Sequence, residues 1–251
     1  MEEKISKPTD YFGANLAMVL AGKISLIHKD FNSKKFIEAV KASCPDRSLT
    51  QRVDLIADNL KIYLPANYKK SINILIKIMG EENPNETGMF KEYYWLMPVG
   101  KYIEKYGLEH FDISIKAIEE LTKRNTGEYA IRPYIRKFPA KTLRRMKAWA
   151  KSDNFHLRRL ASEGLRPKLP WALKLDLFVD NPKPVFDILE ILKTEHVKFV
   201  KKSIANNLTD YIKLNPKTTF ELIETWKKTG NEHTEWIINY ATRKLSSVWI
   251  K

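Results

Sequence analysis

Pro182-Lys183-Pro184-Val185-Phe186-Asp187-Ile188-Leu189-Glu190-Ile191-Leu192-Lys193-Thr194 aligns without a gap on Pro216-Lys217-Thr218-Thr219-Phe220-Glu221-Leu222-Ile223-Glu224-Thr225-Trp226-Lys227-Lys228, with five of thirteen positions identical. Each copy opens on a proline, which a first helical turn accepts because no N–H is needed there. A weaker third copy starts at Pro139, with Leu143, Met146 and Trp149 where Phe186, Leu189 and Leu192 stand. The spacing predicts a second helix after each, over 154–164, 196–207 and 232–245. Within these, Arg158-Arg159-Leu160-Ala161 lines up with Lys201-Lys202-Ser203-Ile204. Helix pairs recurring every 43 and then 34 residues describe an α-solenoid of HEAT-like repeats. The periodicity also admits an irregular helical bundle, and either reading is all-α.

Upstream of the repeats the apolar positions again recur at three and four residues, and hairpin dipeptides are absent. Helices are expected over 33–44, 52–64 (closed by Pro65), 68–79, 92–106 and 112–124. The stretch from Gly80 to Gly88, with Asn83-Pro84-Asn85, reads as a surface loop. The expected organisation is one HEAT-like repeat domain over 1–251, with a helical part at about 1–90 and motif-bearing repeats at about 91–251.

The 251 residues, 43% hydrophobic with only 9 glycines, are enough to build a sizeable core and exclude collagen-like and low-complexity classes. The lone Cys44 cannot form an internal disulfide or a cysteine-based zinc site. The N-terminal residues lack the apolar stretch of a secretory signal, and lysines interrupt the apolar runs, so a cytoplasmic protein with no membrane partner is expected. Charge is the informative quantity. The net charge is +14, yet the segment from Arg132 to Lys174 alone carries +11. A positive excess this local points to a polyanion. In a solenoid, equivalent positions on successive second helices fall along one face, so Arg158, Arg159, Lys201 and Lys202 are expected to line a concave basic groove. A solvated lysine-rich exterior is the bland alternative.

Most enzyme chemistries find no support. The five histidines show no metal-ligand spacing, and there is no nucleophile elbow and no glycine-rich phosphate loop. Carboxylates among arginines remain. Glu163 is one of two acids in the +11 segment, and Glu128 precedes it. An acid on a phosphate-binding surface needs a reason. It either orients an arginine through a salt bridge, or it stabilises a developing positive charge such as a sugar oxocarbenium ion. Trp171, after Pro167-Lys168-Leu169-Pro170, is placed either in the core or against a base or cationic purine. Trp149 and Trp226 are expected in the core.

Three strings carry a family resemblance: Gly127-Glu128-Tyr129-Ala130-Ile131-Arg132-Pro133, then His156 through Trp171 (His-Leu-Arg-Arg-Leu-Ala-Ser-Glu-Gly-Leu-Arg-Pro-Lys-Leu-Pro-Trp), and Ser203-Ile204-Ala205-Asn206-Asn207-Leu208-Thr209-Asp210. Together they resemble the HEAT-like-repeat DNA alkylation repair glycosylases, specifically the AlkC branch, over about half of the chain. The resemblance implies a monofunctional DNA glycosylase that removes cationic N-methylated bases, 3-methyladenine and 3-methylcytosine, from alkylated double-stranded DNA. Such enzymes need no cofactor and no metal, and a monomer is expected. They bend the duplex and reach the lesion's deoxyribose without full base extrusion.

By the same resemblance Glu163, Glu128 and Asp210 are the catalytic acids, and Arg159 and Trp171 are inserted toward the lesion. Arg132, Arg158, Arg166, Lys168, Lys201 and Lys202 contact phosphates. Lysine at 168, 201 and 202, where arginine is more usual in the family, keeps the charge but not bidentate geometry. The immunoglobulin-like domain that some members carry is not expected here. A non-catalytic HEAT-repeat protein binding bent, branched or damaged DNA, and a scaffold for an acidic protein partner, are the competing readings of the same charge.

Overall fold

The computed structural model describes residues 7–88 and 90–245, and among them every regular element is a helix. The chain divides into two compact units, 1–84 with 88–131, and 85–87 with 132–251.

The first unit holds α1 (Ala14–Ile27), α2 (Ser33–Ser43), α3 (Leu49–Tyr63), α4 (Tyr68–Ile78), the short α5 (Phe90–Tyr93), α6 (Met97–Tyr106) and α7 (Phe111–Thr122). Helix starts follow capping chemistry. Asn32 and Asn67 accept from the amides three residues on, and Ser48 and Gln51 form a reciprocal capping box. The stretch expected as one helix over 92–106 is broken into α5, a 3₁₀ turn at Tyr94–Leu96 and α6, because Pro98 has no amide to carry a helix through and sits instead in the first turn of α6. The core is built by Leu16, Leu20 and Ile24 of α1, Phe36 of α2, Ile56 and Leu60 of α3, and Ile72 and Leu75 of α4, all fully buried. A bond of 2.8 Å between the Tyr68 hydroxyl and Ser114 Oγ ties α4 to α7.

The second unit contains α8 (Arg132–Lys137), α9 (Pro139–Trp149), α10 (Phe155–Glu163), α11 (Lys183–Leu192), α12 (Lys198–Leu214), α13 (Pro216–Lys227) and α14 (Glu232–Thr242). Pro139 and Pro216 open the first turns of α9 and α13, whereas the equivalent Pro182 is the N-cap of α11, whose first turn holds Pro184. These three form one layer. Their partners α10, α12 and α14 pack side by side in a second layer. Apolar positions of the proline helices point into the space between the layers: Met146 and Trp149, Leu189 and Leu192, Ile223 and Trp226 are all buried, so Trp149 and Trp226 are core residues. The Trp226 indole N–H donates to Glu190 at 2.5 Å, satisfying its one polar group.

The second helix of the middle pair runs to Leu214 rather than stopping near Asn207. Asn207 does not end it, because its side-chain amide is used elsewhere, donating to the Ser162 carbonyl at 2.7 Å. That bond fixes the last turn of α10 against α12.

Candidate functional site: two carboxylates on one guanidinium

The last turn of α10 and the C-terminal half of α12 bring Glu163 and Asp210 to opposite ends of one arginine. Arg166 Nη1 lies 2.7 Å from Glu163 Oε1 and its Nε 2.9 Å from Asp210 Oδ2. Arg159 adds a second cation, its Nη2 3.8 Å from the same Glu163 oxygen. The acids are only 5% and 8% exposed, so their charges act in a water-poor setting where electrostatic effects are large. Burial raises the Asp210 carboxyl above the ordinary aspartate range, while Arg166 and the Lys168 amide N–H pull the other way. Burial also works against the Arg166 cation, but the two carboxylates outweigh it and hold the guanidinium above its usual value.

Glu128 belongs to the first unit, on the turn after α7. It is buried, and Thr126 Oγ1 donates to its Oε2 at 2.7 Å. Gly127 is required beside it, because an added Cβ would come within 2.5 Å of Thr122 Oγ1 and 2.8 Å of Ile118 Cγ2. Thr122 in turn donates to the Ile118 carbonyl at 2.6 Å, so that crowding hydroxyl is itself tied down.

Three arginines that the resemblance assigns to phosphates are also held by oxygens of the protein itself. Arg132 is 4% exposed. Its guanidinium donates to the carbonyls of Leu173 (2.5 and 3.0 Å), Arg166 (2.9 Å) and Gly164 (3.4 Å). Arg158 makes a two-pronged pair with Glu195, at 2.6 and 3.1 Å, and also donates to the Ser152 and Asp153 carbonyls. Although burial raises the Glu195 carboxyl, Arg158 and the Val197 amide together hold it below its ordinary range. Arg166 bridges the two acids. Protein oxygens thus already take most of the N–H donors of Arg132 and Arg158, and two of the five of Arg166. Net charge along a sequence counts cations, not the acceptors that folding brings to them. Lys168 and Lys202 are exposed, whereas Lys201 is half-buried with its ammonium over the Trp236 ring. Arg159 also lies over a ring, that of Phe199, at 4.7 Å. Glu195 and these aromatic partners were not legible as site residues.

Trp171 is outside the core. It is 86% exposed and adopts φ +61, a left-handed backbone that costs a bulky residue of order 1–3 kcal/mol. Leu173 beside it is 80% exposed. The loop keeps this shape because Arg132 grips its carbonyls and Arg136 donates to the carbonyl of Lys174. Trp171→Asn is expected to hold or raise thermal stability, by up to about 1 kcal/mol, since asparagine tolerates left-handed φ and no packing is lost. If the ring meets DNA, as the resemblance implies, the same change weakens duplex binding. A thermal melt beside a binding titration checks it, and a loss of stability would show that the ring supports the fold.

Among the described residues no group of His, Cys, Asp and Glu is placed to hold a metal ion, and no helix is long and apolar enough to cross a membrane.

Comparison with known proteins agrees with this architecture. The chain is 34% identical over 237 residues to the YhaZ protein of Bacillus subtilis (strain 168), covering 94% of this chain and 64% of that one. Its structure resembles that of the Pseudomonas fluorescens alkylpurine DNA glycosylase AlkC, solved bound to DNA containing an abasic site analogue. The TM-score is 0.85 at 30% identity, covering 96% of this chain and 65% of the other. The chain thus spans about two thirds of the length of either relative. The all-helical repeat fold is shared with that structure. Residues 99–245, which include the two carboxylates, the arginine between them and the loop of Trp171, match the DNA alkylation repair enzyme family, and the chain belongs to it.

Proposed function

We propose that this protein is a monofunctional DNA glycosylase that hydrolyses the N-glycosidic bond of cationic N-methylated bases, 3-methyladenine and 3-methylcytosine, in duplex DNA. The observation that carries this reading is the Glu163–Arg166–Asp210 bridge, two buried carboxylates held in fixed positions on a strongly cationic unit. A methylated base is already a cation. It departs with both electrons of the glycosidic bond as a neutral molecule, leaving positive charge on C1′ and the ring oxygen of the sugar. Fixed negative charge lowers the energy of that state without reorganising during the reaction. Water then adds to C1′ and gives up a proton, for which Asp210, with its carboxyl raised by burial, is the better acceptor. Glu128, buried and bonded to Thr126, is assigned as a further acid near the scissile bond on the resemblance alone.

On this reading Lys168, Lys201 and Lys202 carry the phosphate contacts, and Trp171 and Arg159 approach the lesion. This reading singles out no lysine as a covalent nucleophile, so strand cleavage is not expected. Incubation with globally methylated duplex DNA, followed by chromatography of the released bases, tests the proposal. Release of 3-methyladenine or 3-methylcytosine above the spontaneous rate, with intact strands, is the expected result. Tight binding to the same duplex with no release above that rate would favour a protein that recognises damage without excising it.

A further inference from the structure

Helix α14 carries an aromatic and cationic run at the positions where α10 carries the carboxylate site. Counted from their N-caps, Asn154 and Asn231, the fifth, ninth and twelfth residues are Arg159, Glu163 and Arg166 after the first cap, and Trp236, Tyr240 and Arg243 after the second. On α12, between them, the fifth such residue is Lys202, which is exposed. The face that bears the site therefore continues across three helices packed side by side.

The contacts along α14 are consecutive. Lys201 Nζ stands 4.9 Å over the Trp236 ring, Trp236 stacks on Tyr240 at 4.9 Å and 13°, and the Arg243 guanidinium lies 3.5 Å over the Tyr240 ring and also donates to the Tyr240 carbonyl. The two rings are half-buried. This differs in kind from the pairing of Arg158 with Glu195. A carboxylate partner neutralises a guanidinium, whereas an aromatic face fixes the position of a cation and leaves its charge unspent. Among the described residues, Lys201 and Arg243 have no carboxylate partner. The acids of α14, Glu232 and Glu235, stand in its first turn, where they suit the helix N-terminus. The edges of stacked rings are electropositive as well. The whole run thus presents ordered positive charge and no negative charge.

From this we infer that Lys201, Trp236, Tyr240 and Arg243 form a preorganised docking rung for the sugar–phosphate backbone of duplex DNA, on α12 and α14, two helices along from Glu163. The rings order the two cations before binding, so less side-chain freedom is lost when phosphate arrives. The inference rests on reading the α10–α12–α14 face as a DNA surface, but it does not require that any base be excised.

The test uses the full chain and an undamaged duplex of about 20 base pairs, with affinity measured by fluorescence anisotropy across a potassium chloride series. For Lys201→Gln and Arg243→Gln, each is expected to weaken binding roughly threefold to tenfold and to lower the salt slope by about 1. Lys201→Arg and Arg243→Lys are expected to restore most of the slope. Trp236→Leu with Tyr240→Leu is expected to weaken binding with the slope retained, because the charges remain but are no longer ordered. Circular dichroism melts establish that each variant is folded. An unchanged slope and affinity in both glutamine variants would overturn the rung. So would a duplex affinity that stays fixed while binding of a polyglutamate chain is lost, since that would assign the run to an acidic protein. Loss of slope in a protein that releases no methylated base would leave the rung standing and refute the glycosylase reading.

Discussion

Glu163→Gln is expected to lower the single-turnover rate of base release by about 10²–10³-fold, the range typical of removing one preorganised electrostatic contact to a transition state. Glutamine keeps the shape of glutamate and one oxygen acceptor for Arg166, which now lies 2.7 Å from Oε1. It removes only the charge. On the proposed reading, binding to undamaged duplex should be held or tightened, because a negative group leaves a surface assigned to phosphates. A rate constant from rapid-quench excision on methylated DNA, set beside an equilibrium binding constant, separates the two effects. Matching losses in both measurements would identify Glu163 as an acid whose work is to orient Arg159 and Arg166, the structural alternative that the sequence leaves open. The distinction is sharp because the same residue touches both arginines, at 2.7 and 3.8 Å.

Removing the cation between the acids should cost the most stability. In Arg166→Ala both buried carboxylates lose their bridging partner, and stranding charge in this way typically costs about 3–5 kcal/mol. Urea unfolding at neutral pH measures it. The pH dependence supplies the signature. Burial already raises the Asp210 carboxyl above 3.8, with Arg166 opposing the rise, so losing Arg166 raises it further. An acid with a folded-state pKa above its unfolded value binds a proton on folding, and stability therefore increases as pH falls through the folded value, levelling off below the unfolded one. The gap between variant and parent should narrow from pH 7 toward pH 4. A gap independent of pH would show that Arg166 acts through packing alone. Arg166→Lys is expected to recover only part of the loss, since a single ammonium does not span the two carboxylates as the guanidinium does.

The repeat was legible because proline at a first turn and apolar spacing are local properties, and both survive folding unchanged. What the sequence misjudged depends on distant partners. The end of α12 was read at Asn207, yet the helix continues for two more turns because that side chain is held by the Ser162 carbonyl, 45 residues away in sequence. This continuation places Asp210 on a rigid helix rather than on a loop. Glu163 and Glu128 stood out as negative charges within and beside a run of positive ones, whereas Asp210 came only with the family resemblance. The internal partners of the arginines were missed for the opposite reason. Arg132 is satisfied by main-chain carbonyls up to 41 residues away, and a carbonyl leaves no mark in composition or charge. The pairing of Arg158 with Glu195 was missed because Glu195 sits on the following repeat. The ring partners of Lys201 and Arg159 escaped notice because alternating cations and aromatics become visible only when α10, α12 and α14 are set side by side.

The grip of Arg132 on the Trp171 loop has an evolutionary corollary. It holds oxygen atoms that every amino acid possesses, so the anchor does not read the identity of the residues it restrains. Positions 171 and 173, both almost wholly in solvent, can be randomised in a library while the hairpin-like excursion keeps its trace. The tip can therefore change its side chains while the scaffold beneath stays as it is, with one arginine far upstream acting as the fixed post.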